Sequence, residues 1–246
     1  MIDVSNLHKS FGEKAVLRGA TFSVEPGTIT ALVGSNGSGK TTTLHILAGL
    51  TSPDAGTARV DGIDVTDDRT AAQERLAFLP QDVRFHDALT PRQVLRFYAG
   101  LRPEQGSAPR PERKRGSSPG LHDSDAAHID ALLEQVALRD AADQACETLS
   151  GGMRQRLGLA LLELADAPVL LLDEPALSLD PEWRTVLMER LQAHAESGAT
   201  VLLATHLIDV WRPLTDRVLH CRDGKIWDEE TVGREEAARP SRAGVP

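Results

Sequence analysis

The sequence predicts an α/β fold: a mainly parallel sheet with an N-terminal antiparallel β subdomain and an inserted helical subdomain. Three observations carry that expectation. Continuous apolar runs at Thr28 to Val33, Val169 to Leu172 and Thr200 to Ala204 suit strands buried on both faces. Helical patterns alternate with those runs along the chain. The first run ends in Gly34-Ser35-Asn36-Gly37-Ser38-Gly39-Lys40-Thr41, a G-x-x-x-x-G-K-[ST] loop with a strand before it and a helical pattern, Thr42 to Leu50, after it.

In chain order, Ile2 to Phe11 and Ala15 to Val24 alternate apolar and polar residues about the turn Phe11-Gly12-Glu13-Lys14, which predicts short antiparallel strands. After the glycine-rich loop and its helix, Pro53 to Gly56 is a stop, Thr57 to Gly62 a hairpin edge, and Leu76 to Leu79 a strand leading into Pro80-Gln81. Thr90 is a good N-cap with Pro91 at the first helical position, and Val94, Leu95, Phe97, Tyr98 and Leu101 keep helical spacing. Composition then changes. Arg102 to His122 holds four prolines, three glycines and three serines, with five basic residues against two acidic ones, and reads as a solvated linker within a helical lobe of about 82–149. Contact with anionic lipid headgroups or an acidic partner is its functional alternative. Helical patterns resume at Ala126 to Val136, Met153 to Leu164 and Glu182 to Ala195. Arg217 to Ile226 forms a closing hairpin around Asp223-Gly224, and 229–246 is a polar tail expected to fray.

With 246 residues the chain can bury a full core. A net charge of −9 provides no global basic field, which argues against nucleic acid as a partner. The two cysteines, Cys146 and Cys221, have no metal-ligand or C-x-x-C spacing and read as ordinary thiols in a reducing compartment. Charges at Asp3, Lys9, Glu13, Lys14 and Arg18 exclude a signal peptide's apolar core, and the longest apolar stretch, Leu157 to Leu172, is broken by Glu163 and Asp166, so no bilayer span is expected.

The loop carries the first chemistry. Glycines let consecutive N–H groups turn inward, and the following helix adds the positive end of its dipole, so an anion belongs there. Gly34, Ser35, Asn36, Gly37, Ser38, Gly39, Lys40, Thr41 and Thr42 are the expected nucleotide-binding residues, with Lys40 on the β and γ phosphates and the Thr41 hydroxyl on magnesium. With glycine at about 7% of average sequence, the four fixed positions coincide by chance in on the order of one chain in a hundred of this length. That makes the parallel core a P-loop NTPase core. Asp173 and Glu174 follow the buried run Val169 to Leu172, at the sheet edge where open α/β sheets bind ligands. Asp173 suits the metal, and Glu174 suits a base that polarises the attacking water. Taken alone, the two acids would read as a solvated strand end that Pro175 turns away.

Leu149-Ser150-Gly151-Gly152-Met153-Arg154-Gln155 resembles the signature motif of ABC transporter ATPase subunits, at the family's distance before Asp173. Gln81 after Leu79-Pro80 resembles the Q-loop, Ser178-Leu179-Asp180 the D-loop, and His206 after Thr205 the switch histidine; Phe11 stands where the family stacks an aromatic on adenine. The resemblance covers residues 1 to about 227. Each residue also has a plain reading: Ser150-Gly151-Gly152 as an N-cap turn, Gln81 as a surface amide, His206 as a structural hydrogen-bonder, Asp180 as the cap of a helix starting at Pro181, Phe11 as edge packing. What the resemblance implies is an ATPase that takes ATP and Mg2+, pairs head to tail with a second copy whose Ser150, Gly151 and Gly152 cap the γ-phosphate, and powers a separate transmembrane permease from the cytoplasmic face of the membrane. Gln81 would sense metal and γ-phosphate, and His206 would hold the γ-phosphate and orient Glu174. The catalytic set is then Glu174, His206, Lys40 and Gln81, and the metal set Thr41, Gln81 and Asp173.

The sequence departs from the family's pattern in two places. Met153 replaces the common glutamine, a substitution that resembles the exporter-type branch, and the Arg102 to His122 connection is long and basic. Leu79 to Phe85 with Gly152 to Ala160 is similar to the ATPase of the nitrous oxide reductase copper-site maturation transporter; multidrug or antibiotic export fits nearly as well. A soluble ABC-type ATPase acting on DNA or the ribosome is the rival reading, against which stand the acidic balance and the lack of a coiled-coil insertion, a zinc motif or a second cassette. A small P-loop kinase or GTPase leaves Ser150-Gly151-Gly152 without a role, and no N-K-x-D motif is present.

Overall fold

The computed structural model describes residues 1–101 and 123–229. The linker expected at Arg102 to His122 and the tail beyond residue 229 lie outside them. The chain divides into two compact units, one of Met1–Gln81, Ala167–Leu177 and Glu182–Pro246, the other of Asp82–Asp166 and Ser178–Pro181.

The first unit opens with β1 (Ile2–Phe11) and β2 (Lys14–Val24), which pair antiparallel about Gly12, where φ is +59°; the expected alternation in burial holds for Ile2 to Val4 and is broken where the register shifts between Val4 and Leu7, with Asn6 at φ of +48°. Adding β4 (Ala55–Val60) and β5 (Ile63–Asp64) gives a four-stranded antiparallel sheet in the order β2-β1-β4-β5. The second sheet is mainly parallel. It is built from β3 (Ile29–Val33), β6 (Leu76–Leu79), β7 (Val169–Asp173), β8 (Thr200–Thr205) and the antiparallel closing hairpin β9 (Arg217–Arg222) and β10 (Lys225–Asp228), in the order β10-β9-β3-β8-β7-β6. Every residue of β7 and β8 is buried, as a parallel sheet covered on both faces requires. Ile2, Leu7 and Leu17 of the first sheet, Leu32, Leu171 and Leu202 of the second, and Leu44 of α1 (Lys40–Leu47) share one core cluster. Each such side chain contributes about 1.5–3 kcal/mol of transfer free energy.

Register decides where chemistry can occur. Val33 pairs with Thr205 on one side and His220 on the other, and Asp173 pairs with Ala204. The ends of β3, β7, β8 and β9 therefore share one sheet edge, and the residues that follow them are brought together there.

Several elements differ from the sequence expectation. α1 starts at Lys40 rather than Thr42, because Gly39, with φ of +119°, is its N-cap and the loop runs straight into the first turn. α2 (Arg69–Glu74) was not legible: it has six residues, only Ala72 is buried, and the hydrogen bond from Ala71 N to the Asp68 carboxylate (3.0 Å) starts it where no apolar stripe exists. α7 (Ile208–Trp211) is four residues held by the buried Trp211. Glu229, expected to begin a frayed tail, accepts both Arg212 Nη1 and Nη2, at 3.2 and 3.1 Å.

In the second unit α3 (Pro91–Ala99) begins with a capping box: Gln93 N donates to Thr90 Oγ1, and Thr90 N donates to Gln93 Oε1 at 2.9 Å. Val94 and Leu95 are buried while Phe97, Tyr98 and Leu101 are exposed, so only two of the five residues of the apolar pattern face inward. α3 packs with α4 (Asp123–Gln135) and α5 (Gly151–Ala165), and Arg92 ion-pairs with both Asp130 and Asp143. The helix α6 (Pro181–Glu196) follows directly on Asp180 and from Glu182 onward belongs to the first unit.

Candidate functional site

The loop after β3 folds around Lys40. Although Lys40 is only 6% exposed, its ammonium donates to the carbonyls of Gly34 at 2.8 Å and Ser35 at 3.3 Å. With those two carbonyls turned toward Lys40, the loop N–H groups other than that of Ser38 are left for another acceptor, which is the arrangement an anion cradle needs. Ser38 N donates back to Ser35 O at 3.2 Å, and Thr43 donates through both its amide and its hydroxyl to Gly39 O, which pins the turn onto α1. Gly34 has no room for a side chain: a Cβ there would lie 2.2 Å from the Cys221 carbonyl oxygen.

Beside the loop, Asp173 ends β7 almost fully buried, at 1% exposure. Burial pushes its carboxyl pKa up, the Thr41 hydroxyl bonded to it acts in the opposite direction, and the neighbouring Glu174 charge raises it further. Its Oδ1 has no hydrogen-bond partner among the described residues. A buried carboxylate oxygen left without a donor, with a threonine hydroxyl next to it, is the hard oxygen donor set that magnesium prefers. The residues present fit that ion.

Glu174 adopts φ of +46°, an uncommon conformation for a side chain of its size that costs of order 1–3 kcal/mol. The conformation is fixed by Glu174 N donating to Ala204 O at 2.9 Å and Leu177 N donating to Glu174 O at 3.1 Å. It aims the carboxylate at the end of β8, where Nδ1 of His206 lies 2.7 Å from Oε1 and the Thr205 hydroxyl donates to Oε2 at 3.2 Å. An ionised carboxylate only accepts, so the imidazole is the donor, and in neutral His206 the acceptor lone pair is then on Nε2. Thr205 also accepts from Leu207 N at 3.0 Å, so one hydroxyl ties the glutamate to the backbone that carries the histidine. The sequence marked Thr205 only as the neighbour of His206; its role depends on the β7–β8 register.

A cavity of about 500 Å³ opens over these groups, lined by Asn36, Gly37, Gly39, Lys40, Thr41 and Thr42 of the loop and by Asp173, Glu174 and Gln81. Phe11 stands on its rim, 54% exposed, with the Lys9 ammonium 5.4 Å from the ring centroid. Lys14 and Val16 complete the wall, neither of them singled out by sequence. The structure thus brings Lys40, Thr41, Gln81, Asp173 and Glu174 to one cavity, with His206 bonded to Glu174. Ser150, Gly151 and Gly152 belong to the other unit, where the Ser150 side chain accepts from Met153 N at 3.2 Å and opens α5.

A family model described as ABC transporter matches residues 17–177. The Nod factor export ATP-binding protein I of Burkholderia lata (strain 383) is 37% identical over 226 residues, 91% of this chain and 68% of that protein. The linearmycin resistance ATP-binding protein LnrL of Bacillus subtilis (strain 168) is 28% identical over 218 residues, 89% of this chain and 65% of that protein. Among solved structures, the ATP binding subunit of an ABC transporter superposes with a TM-score of 0.81 at 25% identity, covering 98% of this chain and 95% of its own. A dimeric ATP-binding cassette in a post-hydrolysis state with ADP and Pi gives 0.79 at 25% identity, covering 93% of this chain and 98% of its own.

Proposed function

This chain belongs to the ABC transporter family, and we propose that two copies of it close head to tail around ATP and magnesium at the cytoplasmic face of a membrane to drive a separate permease. It is an ATPase subunit: it binds and hydrolyses ATP to power a membrane permease. None of its described helices is long and apolar enough to cross a membrane. The ATPase domain is assigned to residues 1–228, with about 82–149 as its helical lobe.

The observation that carries the reading is the 2.7 Å contact between Glu174 and His206 beside the cavity bordered by the phosphate loop. Attack of water on a γ-phosphorus needs positioning and charge stabilisation more than covalent chemistry. Lys40 and the loop amides hold the phosphates from one side. Glu174, fixed by His206 and Thr205, accepts the water's proton or orients its lone pair from the other side. Thr41 and Asp173 would hold magnesium, which when bound offsets charge on the β and γ oxygens. Gln81, on the same cavity wall, is assigned to sensing that occupancy, and the exposed ring of Phe11 to stacking on adenine. Ser150, Gly151 and Gly152 of the second copy would cap the γ-phosphate, because a serine-capped helix start offers bare N–H groups to an anion.

Relatives named for Nod factor export and for linearmycin resistance support outward transport, as does Met153. The cargo is set by the permease; the similarity to the nitrous oxide reductase maturation ATPase names one option.

Pairing is the decisive test. With hydrolysis blocked, ATP is expected to convert the chain from one copy to two on size-exclusion chromatography with light scattering. A chain that stays single with ATP, with and without its permease, would remove the head-to-tail reading. For the metal, EDTA is expected to stop hydrolysis and excess magnesium to restore it; turnover indifferent to chelation would take magnesium out of the site.

A further inference from the structure

We propose that Cys221 is a positioning residue for ATP binding: from β9 it grips the underside of the phosphate loop and keeps the loop's N–H groups turned toward the polyphosphate. Its thiol donates to the carbonyl of Ser38, with Sγ 3.2 Å from the oxygen, and the residue is 1% exposed. The same residue meets the loop at two further points. Its carbonyl oxygen lies 2.2 Å from where a Cβ on Gly34 would be, and its sulfur 3.6 Å from where a Cβ on Gly39 would be. Cys221 therefore bonds the loop in its middle and closes off the space beside Gly34 at its start; beside Gly39, at the cap of α1, it shares that role with Leu17 and Val16. The contact matters because a cavity of about 790 Å³ lies between Gly34–Ser38 and the β9–β10 turn, so that face of the loop borders open space.

The chemistry suits a restraint rather than a reactive thiol. Burial pushes the Cys221 thiol pKa up, so the proton stays on sulfur and remains available to the carbonyl. Sulfur is a weak donor, but a buried carbonyl that loses its donor carries the full desolvation penalty. If the loop can relax to relieve that penalty, it does so by rotating the Ser38 peptide, which disturbs the amides facing the phosphate.

The inference rests on the loop being the ATP seat, which Lys40→Ala tests separately. The experiment measures KM for ATP, kcat and the nucleotide-free Tm of full-length variants, in complex with the permease where turnover requires it. Cys221→Val removes the donor but adds some bulk, and Cys221→Ala removes it without adding any; both are expected to raise KM for ATP about tenfold with kcat at saturation within about twofold, since Asp173 and Glu174 are not touched. Cys221→Ser restores a donor and is expected to return KM to within about threefold of the parent. Should Cys221→Val not fold, Cys221→Ala carries the same comparison. An unchanged KM in the donor-less variant, whatever its Tm, overturns the proposal and leaves Cys221 as core packing. Equal rises in KM for the valine and serine variants overturn it too, because the donor would then not be what matters.

Discussion

Glu174→Gln is expected to bind ATP as the parent does while kcat falls by about 10²–10⁴-fold, the range a positioned general base supplies. The amide has the size of the carboxylate and can still accept from His206 Nδ1 through its oxygen, so the strained φ of +46° has no reason to change, while its nitrogen, in the place of Oε2, donates to the Thr205 hydroxyl instead of accepting from it. What it lacks is basicity. In the parent, His206 occupies one lone pair of Oε1 and Thr205 one of Oε2, and each carboxylate oxygen has another, so the glutamate retains capacity for a water. Its near-complete burial strengthens any charge it presents to that water. The measurement pairs an ATP titration with a single-turnover assay. Hydrolysis within about threefold of the parent would dismiss Glu174 as the base. Equal losses of affinity and turnover would make it a structural anchor of the β8 end instead.

What could be read in advance follows from how local each interaction is. The phosphate loop was legible because its function is met by contiguous residues: Lys40 folds back onto Gly34 and Ser35, six and five positions earlier. Asp173 was legible because an apolar run must end somewhere, and a carboxylate at that end of a parallel strand is placed by topology alone. The Ser150 cap was legible for the same reason, its partner being Met153 N three residues on. Thr205 and Cys221 were not. Thr205 acts through the β7–β8 register, which sets it beside Glu174, and Cys221 through β9 lying beside β3, a pairing that joins Val33 to a residue more than 170 positions away. α2 escaped because a short helix with one buried alanine has no period to detect. Phe97 and Tyr98 show the reverse failure, since they keep helical spacing yet face outward.

Lys40→Ala is expected to cost ATP affinity at least about a hundredfold while leaving the fold intact. A buried cation bonded to phosphate oxygens is worth about 1.5–3 kcal/mol per charge-assisted bond, and every 1.4 kcal/mol is tenfold in affinity. Two such bonds, to the β and γ phosphates, set the size of the loss. The fold should survive because the two carbonyls that lose their donor, at Gly34 and Ser35, belong to a loop bordered by open cavity, where water can replace the ammonium. Those two effects separate in one measurement. At an ATP concentration about a hundred times the parent Kd, nucleotide stabilises the parent by about 2.7 kcal/mol, whereas a hundredfold weaker binder gains only about 0.4 kcal/mol at the same concentration. The nucleotide-free Tm should therefore stay near that of the parent, and the ATP-induced rise in Tm should nearly vanish. A full rise retained by the alanine variant would mean that the loop amides alone hold the triphosphate and that Lys40 serves only to fold the loop around its own carbonyls.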